Sequence, residues 1–298
     1  MRPQPDDSKR GRRPLAALSV AVTVSVVGSL VLAPAALANF ITPKSGGSPN
    51  ANEIASLYRI ILYIAAVVFV IVEGALLYSV IKFRAKKGAV AAQIHGNTRL
   101  EIGSTVAAAL ILVVLTVVTF VKLPSIIDPP NSNAGIALSA STTAPSPPNG
   151  KKLIVCIQGR QYIWRYTYGN DCVNNAFTGK LPYSYTTMVV PEGVTVQLAI
   201  QANDVIHSWW VPSLGGKVDA VPGYTTYTWF KALHTGTFHG QCAQLCGRNH
   251  AAMIALVKVV TPQEYQAWVA QDQQEITAAN NQVSQLRTYL TNNGNLGQ

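Results

Sequence analysis

Charged residues are scarce in this chain: they make up 12% of its 298 residues, and only 13 are acidic against 23 Lys and Arg. With a mean hydropathy of +0.22, this composition is unlike that of an ordinary soluble protein and indicates membrane-spanning segments. The basic residues crowd the N-terminus and positions 82–87, and they do not interleave with aromatic residues. This distribution argues against nucleic-acid binding, and we expect no nucleic-acid partner.

Cysteine is also rare, with four residues, and none stands in the Cys-x-x-Cys-His pattern that attaches a c-type haem. Two of the four, Cys242 and Cys246, share one short loop. The other two, Cys156 and Cys172, remain as a pair, which we expect to form a disulfide if their domain lies outside the cytoplasm. Two buried free thiols are the alternative.

The first 38 residues have the pattern of a secretory signal peptide. Five basic residues precede an apolar run at 15–32, and Ala36-Leu37-Ala38 then forms a small-x-small cleavage site. A retained signal anchor is the alternative, and both interpretations leave Asn39 outside the cytoplasm. Residues 39–55, rich in Gly, Ser, Pro and Asn, are predicted to be a flexible lead-in.

Two long apolar segments follow, and we predict transmembrane helices at 56–83 and 102–123. Four basic residues at 82–87 mark the connecting loop, 84–101, as cytoplasmic by the positive-inside rule. One acid within the first span, Glu73, is costly in lipid and indicates packing against protein. The prediction is a two-pass protein of a bacterial-type plasma membrane whose remaining chain is extracytoplasmic.

The pattern changes after the second span. Residues 124–150 are predicted to be a linker containing several Pro, Ser and Asn. From 151 to 262, short β-branched and aromatic runs alternate with Gly, Pro and Asn, which predicts a small antiparallel sandwich or barrel. Residues 263–298 are predicted to form a C-terminal helix with a frayed tail, because Pro and Gly are absent up to 290.

The stretch 242–253 concentrates soft metal ligands, because it holds two thiols, an imidazole and a thioether within twelve residues. Cys, His and Met in one loop are typical of copper sites, and two thiolates can bridge two metal ions. A sandwich could bring His207, which lies between two strand-like runs, to the same loop. The candidate metal ligands are His207, Cys242, Gln244, Cys246, His250 and Met253. A soft site without a general base suits electron transfer rather than substrate chemistry.

Four segments carry a family resemblance: Val72-Glu73-Gly74, residues 95–101, residues 205–223 and the loop 242–253. Through them the chain resembles subunit II of the haem–copper cytochrome c oxidases. The resemblance implies a membrane hairpin followed by an all-β, cupredoxin-like Greek-key sandwich outside the cytoplasm, with a dinuclear copper centre, CuA. It also implies a proton-pumping, aa3-type or related oxidase. In that enzyme CuA takes electrons from cytochrome c and passes them to haem in subunit I, where oxygen is reduced. Subunit III is a further implied partner.

The resemblance assigns a role to each candidate ligand. Cys242 and Cys246 would bridge both coppers. His207 and Met253 would complete one copper, and His250 and the backbone carbonyl of Gln244 the other. Many relatives have Glu where Gln244 stands and use it to bind magnesium, so the change to a neutral amide puts the magnesium site in doubt.

The resemblance also points to three residues outside the ligand set. Glu101 matches an acid at the cytoplasmic entrance of a proton channel in subunit I. By itself it is a favourable acid near a helix N-terminus. Tyr162 and Trp164 lie in the segment that resembles the region where electrons enter, although relatives have Trp at the first of these positions.

Three alternatives remain. A quinol-oxidase subunit II keeps the same domain without copper, a copper chaperone also uses a Cys pair with a His, and a structural zinc site uses thiols and imidazoles. The full ligand set argues against the first. Two membrane spans and the loop 242–253 argue against the second, and Met253 and the wide spacing of the two cysteines argue against the third.

The charge of the β domain bears on the electron donor. Residues 151–261 hold nine basic and four acidic residues, a formal charge of +5. Fields steer partners of opposite sign, so we expect a less basic, acidic or membrane-tethered cytochrome that docks largely through apolar contact.

Overall fold

The structure is a computed structural model that describes residues 42–84, 88, 90, 96–131, 151–169, 172–175 and 178–292. The predicted signal peptide at 1–38, part of the predicted cytoplasmic loop, most of the predicted linker and the end of the predicted tail lie outside the described residues.

A hairpin of two long helices opens the described chain: α1, Pro49–Lys82, and α2, Thr98–Ile127. Both are long and apolar enough to cross a membrane. At about 1.5 Å per residue, 34 and 30 residues exceed the roughly 30 Å hydrocarbon core. The most apolar stretch of each helix is not buried by the rest of this chain, so its side chains contact lipid or other proteins. The two-span prediction is confirmed.

The ends of both helices differ from the predicted bounds of 56–83 and 102–123. Helix α1 begins at Pro49, which favours the first turn of a helix because proline has no N–H to satisfy. Helix α2 begins at Thr98, where the side chain of Asn97 accepts a hydrogen bond from the Leu100 N–H (3.2 Å), and it runs on to Ile127. Residues 98–101 and 124–127 therefore belong to this helix and not to the predicted loops.

The predicted flexible lead-in is wrong for residues 47–55, because this segment packs on the β domain. The carbonyl of Gly47 accepts a hydrogen bond from the Leu233 N–H (3.0 Å), and the Ser48 hydroxyl accepts one from the Lys231 N–H (3.1 Å). The Asn50 side chain donates to the Trp229 carbonyl (2.8 Å). Two of these partners lie in the strand Thr226–Lys231 and the third lies just after its end. The start of α1 is thus attached to the β domain by partners almost two hundred residues away.

The β domain is a sandwich of two five-stranded sheets. The first has the order β3-β2-β1-β5-β8, from strands Leu153–Arg160 (β1), Ile163–Tyr168 (β2), Tyr183–Tyr185 (β3), Thr195–Ala202 (β5) and Thr226–Lys231 (β8). The second has the order β4-β10-β9-β6-β7, from Thr187–Pro191 (β4), His207–Trp210 (β6), Val218–Ala220 (β7), Gly236–Cys242 (β9) and Ile254–Val260 (β10). The predicted sandwich is confirmed.

The expectation of purely antiparallel sheets is wrong. Strand β1 pairs with β5 in parallel, and β10 pairs with β4 in parallel. Alternation of apolar and polar residues reports which side chains face the core but not strand direction. The core between the sheets is filled by large side chains with little or no exposure, among them Trp164, Tyr166, Ile157, Phe230, Met188 and Leu198.

Two elements brace the sandwich from outside. Cys156 of β1 forms a disulfide with Cys172, which begins the short helix α3, Cys172–Asn175. This confirms the predicted pairing. Helix α4, Pro262–Asn292, confirms the predicted C-terminal helix. It packs Trp268 against Tyr168, with ring centroids 4.9 Å apart.

Candidate metal centre

Two adjacent strands bring the candidate ligands together. His207 is the first residue of β6 and Cys242 the last of β9, and these strands pair antiparallel with Trp209 opposite Cys242. Because the strands run in opposite directions, the start of one lies beside the end of the other. A histidine and a cysteine 35 positions apart thus share one end of a sheet.

The chain between β9 and β10 forms a closed loop. The Cys242 N–H donates to the Met253 carbonyl (2.9 Å), which closes the base of the loop. A short 3-10 helix, His250–Ala252, then returns the chain to β10. Gly247 adopts φ +133°, a backbone conformation that favours glycine. The loop thus holds the four residues predicted between Gln244 and Met253 against the strand end.

The donor atoms of the other predicted ligands, three from side chains and one from a backbone carbonyl, lie close to the two thiols. Cys242 Sγ lies 3.9 Å from His207 Nδ1 and 3.3 Å from the Gln244 carbonyl oxygen. Cys246 Sγ lies 3.6 Å from His250 Nδ1 and 3.9 Å from Met253 Sδ. The two Sγ atoms are 3.9 Å apart. Each thiol therefore has one imidazole and one weaker donor beside it.

These separations fit metal coordination. Two sulfurs bound to one ion at about 2.3 Å each are at most about 4.6 Å apart, and a disulfide would hold them at about 2.05 Å. The donor atoms of His207, Cys242 and Cys246 all lie within 4.8 Å of one another, and all three side chains are buried. Thiolate, thioether and imidazole donors are the set that copper prefers.

Burial differs within the ligand set. His207 has no exposed surface, and Cys242, Cys246 and Met253 expose 5% or less. His250 is only half-buried, and the Gln244 side chain is exposed, so it is the carbonyl and not the side chain that faces the site. Burial and the neighbouring Cys242 raise the pKa of Cys246 to about 11. An ion that binds the thiolates at neutral pH must therefore displace protons.

A carboxylate orients the buried histidine. Asp204 Oδ1 lies 2.9 Å from His207 Nε2, and the other ring nitrogen, Nδ1, faces the Cys242 thiol. A proton on Nε2 leaves the Nδ1 lone pair for a metal ion. Burial raises the pKa of Asp204, but hydrogen bonds from the Gln161 and Val205 N–H groups and from His207 outweigh it, so the net pKa is lowered.

Comparison with known proteins decides the family. The family profiles "Cytochrome C oxidase subunit II, periplasmic domain" and "Cytochrome C oxidase subunit II, transmembrane domain" match residues 153–260 and 36–121. A probable cytochrome c oxidase subunit 2 of Rickettsia bellii is 32% identical over 251 residues, covering 80% of this chain and 86% of the relative. The chain belongs to the cytochrome c oxidase subunit II family.

A further relative agrees with this assignment, and one solved structure is similar to part of the chain. The cytochrome c oxidase subunit 2 of Cereibacter sphaeroides is 32% identical, covering 77% of this chain and 81% of the relative. A crystal structure of the periplasmic domain of subunit II from Bradyrhizobium japonicum is 31% identical, with a TM-score of 0.38, covering 42% of this chain and 95% of that one. The subunit II family contributes to an oxidoreductase complex, and this chain is a two-pass membrane protein with an extracytoplasmic β domain.

Two residues assigned to electron entry by the subunit II resemblance have different surroundings. Trp164 is fully buried in the core, with its ring centroid 5.8 Å from that of His207, so it cannot contact a docked protein directly. Tyr162 is half-buried, and its hydroxyl lies against Gly247 of the ligand loop. Of the two, only Tyr162 joins the surface to the loop.

Glu101 lies in the first turn of α2 and is exposed. Its Oε1 accepts a hydrogen bond from the Asn97 N–H (3.4 Å), a capping contact at the helix N-terminus. This position agrees with the simpler interpretation of Glu101 as an acid that stabilises a helix N-terminus. Its predicted role at a proton channel involves another subunit and stays a prediction.

Sequence reasoning missed Asp204 and Gln161 as parts of the site. The Gln161 N–H donates to Asp204 Oδ2 (2.7 Å), and its side-chain amide donates to the Cys246 carbonyl (2.6 Å). Asp204 stands three residues before His207, a spacing that could have suggested a partner for the imidazole. Gln161 lies 85 residues from Cys246, and no local pattern links them.

Proposed function

We propose that this chain is the electron-accepting subunit of a cytochrome c oxidase and that it holds a dinuclear copper centre, CuA. The observation that carries the proposal is the pairing of donors across the two thiols. His207 lies beside Cys242 while Met253 lies beside Cys246, and His250 and the Gln244 carbonyl are arranged the opposite way. The two thiols, flanked in this way by two imidazoles and two weaker donors, would together hold two copper ions.

Copper in this set of ligands would supply a one-electron redox couple. The protein holds the ligands in fixed positions and excludes water from them. Strand pairing fixes His207 and Cys242, Asp204 orients the imidazole, and burial excludes water from the sulfur donors. Ligands that do not move when an electron arrives keep the reorganisation energy small, which suits electron transfer rather than catalysis at the metal.

The wider role proposed follows from family membership. Electrons would come from cytochrome c and pass to haem in subunit I of an aa3-type or related proton-pumping oxidase, with subunit III as a further partner. The exposed apolar faces of α1 and α2 are consistent with contact to other membrane subunits. Glu101 is proposed to lie at the cytoplasmic entrance of a proton channel, and the exposed amide of Gln244 leaves magnesium binding doubtful.

The rival functions are less well supported. A copper-free quinol-oxidase subunit would not need two imidazoles and two weaker donors beside a pair of thiols, and a structural zinc site would not need Met253. A copper chaperone must release its ion, whereas His207, Cys242, Cys246 and Met253 are almost fully buried.

Electron paramagnetic resonance of the full-length, copper-loaded chain in detergent tests the proposal. We expect copper hyperfine structure from one unpaired electron shared by two equivalent nuclei. Gln244→Ala should keep this spectrum because the carbonyl remains, and Cys246→Ser should abolish it. A single-copper spectrum in the unaltered protein, or a bound zinc ion without a signal, would overturn the proposal.

A further inference from the structure

We infer that the electron donor docks around Tyr162 and presents an acidic surface there; this inference rests on the proposed function. We define the Tyr162 face as Tyr162, Val205, Ile206, Gly247 and Arg248. The charge and the apolar centre of this face indicate the chemical class of the donor. That class is a small redox protein with an acidic docking surface.

The Tyr162 face is the part of the surface tied most directly to the candidate ligands. A Cβ on Gly247 would lie 2.6 Å from the Tyr162 hydroxyl, so this ring and the ligand loop touch. Gly247 follows Cys246, and Ile206 precedes His207. The neighbouring backbone of Gln161 is bonded to Asp204. A donor on this face would stand one side chain away from two of the predicted ligands.

The centre of the Tyr162 face is apolar. Val205 and Ile206 expose 38% and 46% of their surface. They follow Asp204, which accepts a hydrogen bond from the Gln161 N–H, and the residue after Gln161, Tyr162, is half-buried with its hydroxyl against Gly247. Exposed β-branched side chains beside an aromatic ring are typical of the core of a transient interface. Apolar contact alone, however, does not choose between donors of opposite charge.

The charges around this centre make the choice. Arg248 is exposed and follows Gly247 directly. Asp204, the acid that precedes Val205 in sequence, already accepts hydrogen bonds from two backbone N–H groups and lies 2.9 Å from the His207 ring nitrogen. The other acids of the domain within the described residues are Glu192, at the turn before β5, and Asp219, on the edge strand β7.

The net field has the same sign as the local charge. With nine basic and four acidic residues in 151–261, the domain attracts anionic surfaces and repels cationic ones. Complementary charge raises association rates far more than it raises affinity, and its effect weakens as salt screens it. The salt dependence of electron delivery therefore reports the sign of the docking surface.

The test uses the intact oxidase complex and two donors that differ only in surface charge: a basic cytochrome c and the same protein with its lysines succinylated. Stopped-flow reduction of the copper centre is followed as salt is raised. We expect the rate with the succinylated donor to fall and the rate with the basic donor to stay level or rise. A steep fall with the basic donor would overturn the inference.

Charge-reversal variants locate the surface. Arg248→Glu should slow the succinylated donor by about threefold to tenfold at low salt and should speed the basic donor. Lys180→Glu is the matched control, because Lys180 adjoins Leu181, which packs near Gly169 at the far end of β2 from Tyr162. Equal effects of both variants would mean that only net charge matters, which would overturn docking at this face.

A small inorganic reductant separates failure of the inference from failure of the proposed function. If the reductant reduces a two-copper signal while the salt dependence is reversed, the function stands and the docking inference fails. If no such signal exists to be reduced, the proposed function itself fails.

Discussion

The side-chain amide of Gln161 donates a 2.6 Å hydrogen bond to the carbonyl of Cys246. The backbone N–H of the same residue donates to Asp204, which in turn holds His207. One turn between β1 and β2 thus restrains two predicted ligands, one at the start of β6 and one in the loop between β9 and β10. Gln161 is therefore a positioning residue. It contacts the backbone of one proposed ligand and the carboxylate that holds another, and it contacts none of the proposed ligand atoms.

Gln161→Ala should loosen the ligand loop without unfolding the domain. The substitution removes the bond to Cys246 but keeps the backbone bond to Asp204. A hydrogen bond of this kind contributes about 1 kcal/mol. We expect faster loss of copper to a chelator and a broadened copper spectrum.

Gln201→Ala is the matched control for Gln161→Ala. Its side-chain amide also donates to another segment of the domain, the Thr225 hydroxyl, and that bond involves no residue of the loop 242–253. If both variants lost copper at the unaltered rate, Gln161 would have no positioning role.

The difference between what sequence predicts and what folding adds is clear at this site. The ligands within 242–253 are close in sequence, so their chemistry is visible without a structure. His207 can be predicted only by assuming that a sandwich joins two strand ends. Gln161 and the contacts of Asn50 with Trp229 cannot, because they join positions 85 and 179 residues apart and involve ordinary polar side chains. Trp164 is a case in which the sequence suggests too much. It is a candidate for electron entry, but an aromatic segment does not reveal which of its rings is buried.

Removal of the Cys156–Cys172 disulfide should destabilise the β domain. The bond joins residues 16 positions apart, and closing a loop of this length restricts the unfolded chain by about 3 kcal/mol. Cys156→Ala with Cys172→Ala should therefore lower the melting temperature and leave the copper spectrum unchanged. Free alkylation of both cysteines in the unreduced native protein would contradict the pairing.

Asn50→Ala should weaken the attachment of α1 to the β domain. Asn50 is buried, donates to the Trp229 carbonyl (2.8 Å) and accepts from the Ser48 hydroxyl (2.6 Å). Loss of the side chain leaves these buried groups unsatisfied, at a cost of about 1–3 kcal/mol. Hydrogen exchange should accelerate along β8. The control is Asn52→Ala, which removes only the exposed contact with the Gly46 N–H. Equal exchange in both variants would contradict the attachment.

Acid should stabilise one contact of helix α4 with the first sheet. Asp272 accepts a hydrogen bond from the Tyr183 N–H (3.0 Å), and burial raises the pKa of this carboxyl above its usual range. Its folded pKa thus exceeds its unfolded value of about 3.9. The resulting stability is present in full below the unfolded pKa and is lost as the pH rises through the folded pKa.

Asp272→Asn tests this contribution, because asparagine keeps an oxygen that can accept the Tyr183 hydrogen bond and cannot ionise. At neutral pH we expect the variant to melt at or above the temperature of the unaltered protein, since no charge is buried. As the pH falls through the folded pKa of Asp272, the unaltered protein should gain on the variant in melting temperature. Subtracting the two melting curves cancels the other carboxyl groups. A difference that does not change with pH would mean that Asp272 titrates alike in the folded and unfolded chain.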